Sequence, residues 1–280
     1  MFLEILKLLR PKQWIKNLLL VSAPLAAGVF PTSFPNVIIS ILGFICASIL
    51  GYIFNDWMDR ESDSLHESKK HRPFASKKLG FKHLILLFPG LISCVIFSCI
   101  SLPIHYSYAI LFYLFITFSY TLKIKEIAVI EMLWLTFGFL VRAVAGAAAT
   151  DVTVSSWFLI LVGFGAMFLV SAKRLSEMQN YNAFSTRRVI SNYSERFILT
   201  VINASLTITL LTFSFWVFEI HPDSNMAKLS ILPFTAGIFL YAWHCETGDA
   251  ESPEKLLFKD PKLVICGVLT AVILIFETYQ

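Results

Sequence analysis

Residues 158–170 read FLILVGFGAMFLV, thirteen positions without a charge or an amide. Residues 18–30, LLLVSAPLAAGVF, have the same character. Neither alternates apolar and polar residues with period two, as a membrane β-barrel strand does. Both therefore read as parts of helices that bury all round, and each lies in an apolar stretch close to the roughly 20 residues a bilayer crossing needs. The composition agrees. Of the 280 residues 56% are hydrophobic and 15% charged, with a mean hydropathy of +0.70, whereas a soluble domain carries about 25% charged residues. A water-soluble globule is excluded.

Nine candidate crossings follow, at 16–32, 36–57, 83–101, 105–122, 126–149, 154–173, 196–219, 228–245 and 262–279. The expected fold is all-α: a polytopic bundle of nine transmembrane helices forming one integral domain over 1–280. Residues 1–15 alternate apolar and basic side chains and suggest an amphipathic segment lying on the membrane surface. The longer polar connections are 58–82, 174–195 and 246–261. Threading nine crossings puts these loops and the N-terminus on one side, which then holds 21 of the 23 Lys and Arg residues. Lys228 alone falls opposite, and Arg142 lies inside the fifth crossing. Basic loops stay in the cytoplasm, so the expected location is an inner (plasma) membrane with the long loops facing the cytoplasm. The five cysteines all sit in apolar runs with no C-x-x-C spacing and read as small buried hydrophobes. A net charge of +4, placed along one membrane face, points to lipid and not to nucleic acid.

The second crossing runs directly into Asn55-Asp56-Trp57-Met58-Asp59-Arg60-Glu61-Ser62-Asp63. Asp59 follows Asp56 by three residues and precedes Asp63 by four, offsets that share a helix face. Three like charges on one face need something positive among them. Clustered carboxylate oxygens suit a hard cation such as Mg²⁺, with Mn²⁺ as the alternative, and such an ion usually shares its remaining ligands with substrate phosphates. Asp56, Asp59 and Asp63 are thus candidate metal ligands, and Lys69, Lys70 and Arg72 further along the loop are candidate phosphate contacts. A solvated, ion-paired helix end is the plainer alternative.

This N-D-x-x-D-x-x-x-D pattern at the end of the second of nine crossings resembles the UbiA-type intramembrane prenyltransferase superfamily, in which such acids hold Mg²⁺ against a diphosphate leaving group. Members with aromatic acceptors carry a second D-x-x-x-D motif at the end of the sixth crossing. Here that place reads Ser171-Ala172-Lys173-Arg174-Leu175-Ser176-Glu177-Met178, with two cations where acid would be expected. Three further stretches, Arg10 to Asn17, Ser119 to Lys123 and Gly138 to Gly146, together with His66 to Pro73, make the chain similar to the decaprenyl-phosphate phosphoribosyltransferase branch. That resemblance implies a donor, 5-phosphoribosyl 1-diphosphate, and an acceptor, a polyprenyl phosphate.

The roles it implies are these. Asp56 and Asp59 act with the metal, Asn55 orients the cluster, and Lys173 and Arg174 clamp a phosphate beside Glu177. Tyr120 and Lys123 close the pocket, and Lys16 with Asn17 meets the acceptor headgroup. Lys16 is equally readable as an anchor reaching to the interface. Arg142 is equally readable as a structural pair or as a group facing a cavity, since charge within a crossing is costly. The rival functions are a prenyl transfer to an aromatic acceptor and, more distantly, a transporter. Self-association through lipid-facing surfaces is compatible with all three.

Overall fold

Proline and glycine decide how the first apolar run folds. Pro11 opens a 3₁₀ helix, Pro11–Leu18, and a short α-helix, Leu19–Ala26, follows with Pro24 inside it. Gly28 then takes a left-handed φ of 70° and ends the run. A computed structural model describes residues 2–65, 70–179, 188–246, 256 and 259–280. In chain order its α-helices are α1 (Phe2–Leu9), α2 (Leu19–Ala26), α3 (Phe34–Met58), α4 (Arg60–Ser64), α5 (Phe81–Ser101), α6 (Ile104–Leu122), α7 (Ile130–Ala149), α8 (Ser156–Gln179), α9 (Glu195–Ile220), α10 (Asn225–Leu229), α11 (Ile231–Glu246) and α12 (Pro261–Thr278). Short 3₁₀ turns lie at Ile124–Glu126 and Arg188–Asn192. Among the described residues there is no strand. The architecture is that of an all-α, multi-pass membrane protein.

Six helical stretches among the described residues are long and apolar enough to cross a membrane: Phe34–Met58, Ile130–Ala149, Ser156–Gln179, Glu195–Ile220, Asn225–Glu246 and Pro261–Thr278. The expected nine is therefore not matched by that count. The run 16–32 is broken as described above. The run 83–101 contributes a shorter apolar helix, Leu87–Ser101. The run 105–122 does fold as one helix, α6, but its Tyr, Ser, Thr and His residues dilute its hydropathy.

The helices group into two compact units. The first comprises Met1–Pro24, Phe30–Ile127 and Val141–Val152; the second comprises Leu25–Val29, Ala128–Leu140 and Thr153–Gln280. In the first, α3 packs against α5 and α6. Lipid gives helices no hydrophobic reason to associate, so close approach through small residues and interhelical hydrogen bonds carries the packing. Gly43 lies against Ser98 and Tyr106, Gly51 against Thr117, and Gly146 against the backbone of Leu20. Tyr106 Oη donates to the Ser40 carbonyl at 3.1 Å. The terminal helix α1 is more than a surface float: Leu8 is buried with Ile49, Ile53, Phe74 and Leu79. In the second unit α8 and α9 form the principal pair, around a core that includes Met132, Phe168, Leu175, Ile198 and Tyr241.

A methyl group on Gly146 would overlap the Leu20 main chain, which has no rotamer to turn aside. Gly146→Ala should lower stability by roughly 1–3 kcal/mol or more, as overpacking does. Gly165→Ala is the matched control, because its Cβ would lie an ordinary 3.8 Å from Thr209 Cγ2. Thermal unfolding of the two detergent-solubilised variants checks the difference; equal melting temperatures would refute it.

Candidate functional site

The carboxylates of the first unit are placed by an uninterrupted turn from α3 into α4. The Asp59 amide donates to the Asn55 carbonyl at 2.9 Å and the Asp63 amide to the Asp59 carbonyl at 2.8 Å, so the three acids keep nearly helical spacing. Asp56 is 2% exposed and Asp63 4%. Charges so far from water need partners, and the partners are cations. Arg72 Nη1 donates both to Asp56 Oδ1 at 2.9 Å and to Asp63 Oδ2 at 2.8 Å. Arg10 Nη2 reaches the same Asp56 oxygen, with its guanidinium 5.0 Å over the Tyr52 ring. Lys125 pairs with Asp59. Asn55 Oδ1 accepts from Thr121 Oγ1 of α6 at 3.4 Å.

Three carboxylates thus meet three cations. Among the described residues no group of three or more His, Cys, Asp or Glu side chains is gathered to hold a metal ion; Asp56 and Asp63 meet on Arg72 and Asp59 on Lys125. Their oxygen donors are nonetheless of the kind a hard divalent cation takes.

Of the residues singled out from the sequence, Asn55, Asp56, Asp59, Asp63 and Arg72 come together here. Lys69 lies outside the described residues. Lys123 caps the end of α6 and is exposed, while Lys125, two residues on, is turned onto Asp59 by the 3₁₀ turn Ile124–Glu126. Tyr120 is half-buried near that end of α6. Arg10 and Lys125 were not anticipated. Arg10 adopts the left-handed region, φ 49° and ψ 58°, directly before Pro11.

A second polar cluster lies deeper in the same unit. Arg142, 5% exposed, donates from Nε to Asn17 Oδ1 at 2.9 Å and from Nη2 to Tyr113 Oη at 2.8 Å and Ser48 Oγ at 3.4 Å. Its guanidinium sits 4.5 Å over the Tyr113 ring. Asn17 is 1% exposed, and its Nδ2 has no hydrogen-bond partner among the described residues. Lys16, its neighbour, is half-buried. Arg142 therefore orients Asn17 directly, which neither reading from the sequence had specified.

The second unit holds the Lys173–Glu177 stretch at the end of α8. Arg174 is fully buried. It donates from Nε to Glu131 Oε1 at 2.7 Å and from Nη2 to Glu131 Oε2 at 2.6 Å, the two-pronged geometry that suits a guanidinium to a carboxylate. Its Nη1 goes to Glu177 Oε2. Tyr193 Oη donates to Glu131 Oε1 at 3.3 Å and accepts the Val129 amide at 2.7 Å. Burial pushes the Tyr193 hydroxyl up to about 12, so it stays protonated and able to donate. Lys173 is half-buried. Glu131 and Tyr193 had no signal in the sequence: an acid in the first turn of a helix and a tyrosine in a loop are both commonplace.

The sequence matches the UbiA prenyltransferase family over residues 18–260. It is 30% identical to the decaprenyl-phosphate phosphoribosyltransferase of Mycobacterium tuberculosis, over 94% of this chain and 90% of that protein. To the enzyme of the same name from Corynebacterium glutamicum it is 29% identical, over 98% of this chain and 86% of that one. In fold it resembles the solved structure of a UbiA homologue from Archaeoglobus fulgidus bound to DMAPP and Mg²⁺, with a TM-score of 0.73 over 98% of both chains at 17% identity. With a family match across most of its length, the chain belongs to the UbiA prenyltransferase family.

Proposed function

We propose that this protein transfers 5-phosphoribose from 5-phosphoribosyl 1-diphosphate to a polyprenyl phosphate and releases diphosphate, at the cytoplasmic face of an inner (plasma) membrane. The observation that carries the reading is the near-full-length similarity to decaprenyl-phosphate phosphoribosyltransferases. The residue chemistry supports it. The donor bears a diphosphate on C1 and a phosphate on C5, and the chain offers carboxylates with arginines in one cluster and Lys173 in another.

Asp56 and Asp59, with Asp63, would hold a divalent ion, Mg²⁺ by analogy with the Archaeoglobus fulgidus homologue, which is bound to that ion. When bound, the ion supplies positive charge to the departing diphosphate. Arg72, whose planar fork carries more donors than two carboxylates use, is suited to a phosphate oxygen as well. Lys173 is the candidate phosphate contact of the second unit. Lys16 and Asn17 meet the acceptor headgroup, with Arg142 fixing the amide of Asn17.

The acceptor is already an oxyanion, so no protein base is required. A lipid phosphate oxygen forms the new bond to C1 as the C1–O bond to diphosphate breaks, and the electron pair leaves with the diphosphate. Catalysis on this reading is positioning and charge stabilisation. Self-association is compatible with the scheme but supplies no step of it.

The deciding experiment incubates membranes containing this chain with labelled 5-phosphoribosyl 1-diphosphate and decaprenyl phosphate. Labelled phosphoribosyl lipid is expected. Its absence, together with activity on a polyprenyl diphosphate and a phenolic acid, would favour prenyl transfer to an aromatic acceptor instead. Asp56→Asn should lower turnover by about 100-fold or more, the size typical for loss of an electrostatic catalytic group, and chelation should abolish activity until Mg²⁺ is restored. Near-normal turnover of Asp56→Asn at ordinary Mg²⁺ would refute the metal assignment. Arg142→Lys keeps the charge but loses the fork that reaches Asn17, Tyr113 and Ser48. It should raise KM for polyprenyl phosphate by about tenfold, with a smaller change for the donor; the reverse pattern would remove Asn17 from the acceptor side.

A further inference from the structure

The Lys173–Glu177 stretch is fastened by a carboxylate that lies far from it in sequence. Glu131 is 0% exposed and binds two nitrogens of the Arg174 guanidinium, while the third goes to Glu177. One cation facing two carboxylates has no surplus positive charge to offer a phosphate. Successive residues on a helix point about 100° apart, so an Arg174 directed into the protein leaves Lys173 on a different face. Glu177 follows Lys173 by four residues and Arg174 by three, which sets it beside both.

Glu131 is itself held. Tyr193 donates to it and accepts the amide of Val129, and Val129 adopts a left-handed φ of 68°, a conformation a β-branched residue keeps only when its surroundings impose it. The start of α7, the end of α8 and the approach to α9 are thereby tied at one point.

We infer that Glu131 is a positioning residue for the donor: by anchoring Arg174 inside the protein it sets Lys173 and Glu177 in the register that binds 5-phosphoribosyl 1-diphosphate, and Lys173 is the cation of the pair that meets phosphate. The inference rests on the transfer reaction proposed above.

The test is steady-state transfer by the full-length chain with each substrate varied in turn. Glu131→Gln should raise KM for 5-phosphoribosyl 1-diphosphate by about tenfold while leaving KM for polyprenyl phosphate within about twofold. Glu131→Asp, which keeps the charge, should recover part of the donor affinity. A purely structural role would lower the amount of active protein and leave both KM values unmoved; that outcome overturns the inference. Where Glu131→Gln yields no folded protein, Tyr193→Phe decides, with an expected rise of about threefold in donor KM alone, and an unchanged donor KM overturns it equally. A wild-type chain inactive in the assay would overturn the transfer reading and this inference with it. An active wild type with unmoved donor KM in the variants would overturn the inference alone.

Discussion

A charged side chain removed from water must meet its opposite nearby, because low-dielectric surroundings punish an unpaired charge far more than they reward a paired one. That constraint organises both units of this protein. In the first, Asp56 and Asp63 share Arg72, and Arg10 closes on Asp56 from the N-terminal segment. In the second, Arg174 is enclosed by Glu131 and Glu177. Breaking such a buried pair by removing one partner typically costs about 3–5 kcal/mol, so these networks constrain where helices begin and end as firmly as the apolar packing does. The same groups are of the types a phosphorylated sugar and a divalent ion require. On the proposed function, stability and chemistry act on the same few residues.

The two clusters differ in character. Around Asp56, Asp59 and Asp63 the cations Arg10, Arg72 and Lys125 are partly exposed, and Arg72 bridges two acids. Around Arg174 both partners of the principal pair are sealed from water. A sealed pair of that kind suits the holding of a helix end.

Much of this was legible in the sequence. Hydropathy runs located α3, α7 and α9 to within a few residues but stopped short of the end of α8 at Gln179, and the spacing of Asp56, Asp59 and Asp63 marked the end of α3 because local offsets on a helix translate directly into a shared face. What escaped depends on long-range pairing. Arg10 meets Asp56 across 46 positions, Lys125 meets Asp59 across 66, and Glu131 meets Arg174 across 43; no periodicity connects such residues. The spacing of Asp56, Asp59 and Asp63 suggests a metal triad but does not reveal that Arg10, Arg72 and Lys125 pair with these same carboxylates. The first apolar run, 16–32, is not one continuous α-helix for a local reason instead: hydropathy averages over Pro24 and Gly28, whereas the backbone does not.

Arg10 illustrates a conflict between main chain and side chain at one position. Its left-handed conformation would suit glycine, and an L-residue with a Cβ gives up roughly 1–2 kcal/mol there. Glycine, however, has nothing to extend to Asp56. Relaxing that kink would leave the buried aspartate with Arg72 alone, a cation already divided between two acids. Position 10 is thus a place where the strand of sequence before a proline keeps an uncomfortable torsion for the sake of reach, and where a conventional stabilising replacement would loosen the very charge balance it was meant to serve.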